Sequence, residues 1–171
     1  VQGFAYKENG MNVVLFANSL THKVHQRDEY AYLSNFLFSS VLSDKNYDGS
    51  ASLPFTDVAD DAYYADAVCL AVAKNITSGA TATTFDPNGN VTREQIAAIL
   101  YRYEGSPTVT GSLSGYPDQA QVSSFAVTAM QWAVGTGIIT GVTSGGRTTL
   151  SAKGNATRAQ VAVMLHRFLT F

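Results

Sequence analysis

The chain has 171 residues, 46% of them hydrophobic and 14% charged, with a formal net charge of −2. That length and apolar fraction suit a packed domain or a short array of repeats, and exclude a chain disordered throughout. The low charge gives no general footprint for nucleic acid, no apolar run approaches the roughly 20 residues of a membrane span, and one cysteine, Cys69, permits neither an internal disulfide nor a cysteine-rich zinc site.

The chain starts at Val1 without a charged n-region or a signal-type apolar stretch, so it reads as a fragment or a processed product. Residues 1–19 carry Phe4-Ala-Tyr6 and Val13–Ala17 on either side of Asn9-Gly10. This fits a small β-hairpin, and equally the frayed end of a preceding domain. In Gln26-Arg-Asp-Glu-Tyr-Ala31 the order R-x-E-x-A leads into Tyr30, Leu33, Phe36 and Leu37, one helical apolar face. Asp44-Lys-Asn46-Tyr-Asp48-Gly49 matches the opening of a calcium loop. Its twelfth position is Phe55, where that loop wants a bidentate Glu, so a turn-forming linker is the better reading.

From Phe55 onward the chain repeats itself. Residues 55–105 and 116–171 superimpose, with Asp57 on Asp118, Tyr63 on Phe125, Gly79 on Gly141 and Arg93 on Arg158; residues 106–115, SPTVTGSLSG, are the linker. The offset grows from 61 at the aspartates to 62 along the first helix and 65 at the arginines, which places small insertions in loops. Each unit reads as helix, loop, helix. First helices are expected over about Ala62–Asn75 and Ser123–Thr136, with Tyr64, Ala67, Val68, Ala71 and Val72 on one face. Second helices are expected over about Arg93–Glu104 and Arg158–Leu169. Their faces are Ile96, Ile99, Leu100 and Tyr103, matched by Val161, Met164, Leu165 and Phe168. Gly79 and Gly141 suit tight turns after the first helices. Cys69, in an Ala/Val-rich stretch, is expected to be a small buried hydrophobe.

Both second helices open with the same device. Thr92-Arg-Glu-Gln95 and Thr157-Arg-Ala-Gln160 fit the capping box, with Thr at the N-cap and Gln at the third helical position. Thr and Gln thus have structural reasons to be there, whereas an Arg at the first helical position opposes the helix dipole. Beside free backbone N–H groups, that cation would make a local site for an anion.

These residues resemble the S-layer homology repeat of bacterial cell-surface proteins. The matching pieces are Phe55-Thr-Asp57, Asn75-Ile-Thr-Ser-Gly79, Phe85-Asp-Pro87 and Thr92-Arg-Glu-Gln95, then Tyr116-Pro-Asp118, Gly137-Ile-Ile-Thr-Gly141, Leu150-Ser-Ala152 and Thr157-Arg-Ala-Gln160. The resemblance covers about two-thirds of the chain. It implies a mainly α fold of helix-loop-helix repeats in a pseudo-threefold bundle, with residues 1–54 as a partial first repeat. It also implies a non-catalytic anchor on the bacterial cell surface, binding an anionic, often pyruvylated, secondary cell-wall polysaccharide in grooves between repeats. By resemblance, Arg93 and Arg158 contact the glycan, Arg27 takes the third such position, Asp57 and Asp118 line the grooves, and Gly79 and Gly141 shape them. Gln95 and Gln160 depart from the family's Glu, and Ala152 from its Pro.

A second reading is a protein-interaction or self-assembly module that has lost the glycan, with a missing helix completed by another chain as a homo-oligomer. An enzyme ranks last, because there is no nucleophile elbow, P-loop or dinucleotide fingerprint. No cofactor is implied. His22, His25 and His166 offer no third ligand near the first two, so no metal site is assigned.

Overall fold

The computed structural model describes residues 53–171, together with the backbone of residues 3–8 and 11–16. The described helices dominate, so the chain is mainly α. Near the start, strands β1 (Gly3–Glu8) and β2 (Met11–Phe16) pair antiparallel, from Gly3 opposite Phe16 to Glu8 opposite Met11. Of the two readings of this segment, the hairpin is the one its backbone adopts. Arg27 and the Asp44–Gly49 loop lie outside the described residues. The chain divides into two compact units, residues 1–73 with 78–88, and residues 74–77 with 89–171.

In the first unit, α1 runs over Ala65–Ala73, starting later than the sequence suggests. Two turn bonds, Ala62 N to Ala59 O and Ala65 N to Ala62 O, precede the first four-residue bond, Val68 N to Tyr64 O. The core is Phe55, Val58, Ala65 and Val68, with Leu53, Ala62, Tyr64, Val72 and Phe85 packed against it. Cys69 and Leu70 are buried as well, so α1 hides most of its circumference rather than one stripe. A nine-residue helix without a basic side chain and with a single acid, Asp66, has little polar surface to present.

In the second unit, α2 (Arg93–Tyr103) packs against α3 (Val127–Gly135) and against the short 3-10 turn Ser124–Ala126 that leads into α3. A hairpin, β3 (Val142–Ser144) with β4 (Arg147–Thr149), comes next, and α4 (Arg158–Thr170) closes the chain. Ile96, Leu100, Met130, Ile138, Ile139 and Leu150 are fully buried; burial of each such side chain contributes about 1.5–3 kcal/mol. Trp132 stacks edge-on with Phe168 and Phe171, at centroid distances of 6.3 and 5.9 Å, and Tyr101 joins it at 5.6 Å. On α4 only Met164 and Phe168 are buried, one turn apart, while Val163 and Leu169 are exposed.

Candidate anion-binding pocket

Both capping boxes form. Thr92 Oγ1 accepts from Gln95 N at 3.3 Å while Gln95 Oε1 accepts from Thr92 N at 2.8 Å, and Thr157 and Gln160 repeat this at 3.3 and 3.0 Å. Gln therefore supplies the acceptor that the family's Glu would, without its charge. The entrance of α2 is also stitched to the loop ahead of α4. Thr92 bridges to Asn155, Ala156 N bonds Val91 O at 3.1 Å, Arg93 N bonds Gly154 O at 3.0 Å, and Glu94 N bonds Ala152 O at 2.9 Å. This corrects the expectation of free amides beside Arg93. The N–H groups that would have received an anion there already donate to backbone carbonyls, so the first turn of α2 is closed to a ligand.

The Arg93 side chain is the candidate anion contact instead. Only 4% of Arg93 is exposed, and its Nε donates to Leu150 O at 2.9 Å. A guanidinium has five N–H donors. The four on its terminal nitrogens meet no protein acceptor among the described residues. Arg93 borders a cavity of about 300 Å³ whose other walls include Thr140, Gly141, Gln160, Met164 and Arg167. Burial holds the Arg93 guanidinium below its usual pKa. The Arg167 charge acts in the same direction, and Tyr116 opposes them. Arg167 Nη1 donates to Thr140 Oγ1 at 3.1 Å and Ile138 O at 3.4 Å, fixing the far wall. The two arginines of the lining, and the charge of the unit around it, suit an anion. The second unit carries seven Lys and Arg against three acids, Glu94, Glu104 and Asp118. Glu94 and Asp118 are committed to other bonds, and Glu104 caps the far end of α2.

The other sequence-selected residues sit elsewhere. Arg158, at the equivalent position of α4, is exposed and does not line this cavity. Asp57 and Asp118 act on the backbone of their own repeats. Asp57 accepts from Phe85 N and Asp86 N, both at 2.8 Å; Asp118 accepts from Leu150 N at 2.9 Å and Ser151 N at 2.8 Å. Asp86 and Ser151 are held at φ of 59° and 49°, a left-handed backbone that costs about 1–2 kcal/mol for a residue with a Cβ. Each carboxylate thus clamps a strained turn. The Phe85 amide chiefly lowers the Asp57 pKa, outweighing desolvation. For Asp118, burial raises it, but the Leu150 and Ser151 amides and the Arg147 charge leave it lowered.

Gly79 and Gly141 shape their turns by close contact. Their φ values are 78° and 83°; an added Cβ would run into the Phe55 ring at Gly79, and would fall 2.8 Å from Thr149 O and 2.9 Å from the Tyr116 ring at Gly141. Gly141 is also a wall of the cavity.

Two side chains escaped the sequence reading. Glu94, 4% exposed, accepts from Ser123 N at 2.9 Å and Ser123 Oγ at 2.7 Å. Ser123 makes no side-chain cap of its own, and the entry to α3 is a 3-10 turn where a regular helix was expected. Nothing about a Glu in a first helical turn distinguishes this role from a dipole contact. Arg167 had a signal, since Arg102 stands 65 residues before it and bonds Ile76 O as Arg167 bonds Ile138 O.

Among the described residues no helix is long and apolar enough to cross a membrane, and no group of three or more His, Cys, Asp or Glu is placed to hold a metal ion. The S-layer homology domain model matches residues 54–97 and 115–162, more than half of the chain. The chain is 34% identical over 134 residues to a surface-layer 125 kDa protein of Lysinibacillus sphaericus, covering 77% of this chain and 11% of that protein. It is 35% identical over 104 residues to a cell surface protein of Thermoanaerobacter kivui (57% and 12%), and 31% identical over 122 residues to an endoglucanase of Bacillus sp. strain KSM-635 (71% and 12%). The chain therefore spans only about a ninth of these relatives. No solved structure gives a significant match. Duplicated capped helices, paired turn glycines and these matches together make the chain a member of the S-layer homology domain family, a cell-wall anchoring module of the bacterial cell surface.

Proposed function

We propose that this chain anchors its parent protein by binding an anionic secondary cell-wall polysaccharide, with the Arg93 cavity as the binding groove. The observation that carries this reading is a nearly buried guanidinium that lines a cavity and whose terminal nitrogens meet no protein acceptor among the described residues. Burying a cation without a counter-charge is costly, and an anionic substituent such as a pyruvyl carboxylate would supply charge and acceptors together. The family match and the surface-protein relatives support the same reading. Arg158 serves as the equivalent contact in a second groove and Arg27 in a third, within a pseudo-threefold array whose first repeat is the partial one in residues 1–54. Asp57, Asp118, Gly79 and Gly141 hold the groove loops in shape.

Co-sedimentation with Gram-positive wall sacculi, before and after hydrofluoric acid removes the secondary polymer, tests this. Binding should be lost on stripping, and Arg93→Ala should weaken it while the circular dichroism spectrum stays unchanged. Equal binding to stripped sacculi, or wild-type binding by Arg93→Ala, refutes the assignment.

The exposed Val163, Leu169 and Phe171 at the end of the chain favour a second reading, self-association or protein recognition through α4. Light scattering decides this, and a monomer across a wide concentration range argues against self-association.

A further inference from the structure

Resting on that reading, we propose that Arg167 is the second cation of the groove, and that it and Arg93 together grip a single carboxylate on the glycan. The capped Thr-Arg motif does not point to Arg167. It lies nine residues beyond Arg158 on α4, past the last residue of the second family match.

Three observations carry the assignment. First, Arg167 and Arg93 border the same cavity. Second, both of the bonds Arg167 makes come from Nη1, to Thr140 and Ile138. Its Nε and Nη2 donate to no protein acceptor among the described residues, and the four terminal N–H groups of Arg93 are likewise unengaged. The cavity therefore gathers two planar donor forks, and a carboxylate offers two oxygens with about four acceptor sites. Third, no acid is available to neutralise the pair from within the unit, because Glu94 is bonded to Ser123, Asp118 to Leu150 and Ser151, and Glu104 caps the opposite end of α2. Two like charges beside one cavity repel each other until an anion lies between them.

Arg102 separates this role from a merely structural one. It makes the same kind of bond to Ile76 O in the first repeat, at 3.5 Å, and does not line the cavity.

The test uses the full chain and wall polysaccharide released from sacculi, titrated calorimetrically at several salt concentrations. Wild type, Arg167→Gln, Arg167→Lys and Arg102→Gln are compared, each checked for folding by circular dichroism. Arg167→Gln should lose about tenfold or more in affinity, the scale of one charge-assisted hydrogen bond, and its affinity should fall less steeply with salt. Arg167→Lys should recover the salt dependence but only part of the affinity, because an ammonium lacks the planar fork. Arg102→Gln should bind as wild type. Blocking the polymer's carboxylates by carbodiimide-driven amidation should erase the difference between wild type and Arg167→Gln; a difference that survives assigns the contact to a phosphate and overturns the carboxylate. If wild type binds, Arg93→Gln fails and Arg167→Gln binds as wild type with the same salt dependence, the proposal is wrong while the anchoring function stands. If wild type binds no polymer, both fall.

Discussion

Glu94 links the two repeats within the second unit, and removing it should destabilise that unit selectively. Its carboxylate accepts two hydrogen bonds from Ser123. Bonds to a charged group contribute about 1.5–3 kcal/mol each. Two terms reduce the loss. Glu94 is 4% exposed, so Glu94→Ala also relieves the desolvation of a buried carboxylate, and the half-buried Ser123 can regain one bond from water. The net cost should be about 2–3 kcal/mol, which for a unit of this size lowers the midpoint by roughly 10–20 °C. Glu94→Gln keeps one acceptor oxygen and should cost about half as much. The chain has one tryptophan, Trp132, buried on α3, so its fluorescence follows the unfolding of this unit. A double-mutant cycle with Ser123→Ala should return a coupling of about 1–2 kcal/mol. If Glu94→Gln melts with wild type and the cycle is additive, the carboxylate does not hold the start of α3, and the account of its 3-10 entry is wrong.

Gly141→Ala should cost about 2–4 kcal/mol, because a Cβ at φ 83° adds left-handed strain and meets the Thr149 carbonyl, which cannot yield as a side-chain end could. A melt within about 1 °C of wild type would show that the turn relaxes freely. The lowered carboxyl pKa values of Asp57 and Asp118 make their stabilising contribution fully present above the ordinary carboxylate pKa and progressively lost as pH falls below it. Acid titration of the melting midpoint should therefore steepen below about pH 4, and Asp118→Asn should flatten that limb. An unchanged limb in Asp118→Asn would mean that the clamp does not titrate.

What the sequence disclosed was mostly local. Thr92 with Gln95, and Thr157 with Gln160, were readable because a capping box closes within four residues. The second helices followed from it, since the box fixes the start and the apolar period fixes the face. The first helices were harder to delimit. In the second repeat no side-chain cap marks the start, and Ser123 is held by a residue 29 positions earlier. The cavity was legible only in part. Arg93 stood out by opposing the helix dipole, but its partner in the cavity lies 74 residues away, and Arg158 shares its motif without sharing its surroundings. The aspartates were visible as a matched pair, yet their task of holding Asp86 and Ser151 left-handed depends on the turn closing over them.

The stitching of Val91 and Thr92 to Asn155 and Ala156 puts the sequence repeat and the folded unit out of phase. The second helix of the first repeat is built into the unit that contains the whole second repeat, while the first helix, α1, belongs elsewhere. A cut in the linker at 106–115 would respect the repeat but strip α2 of Leu150, Ala152 and Gly154, the carbonyls that receive its first amides and its arginine. In this chain one repeat thus hooks into the next as chain links do, and removing the second repeat would reopen the join on which Arg93 depends.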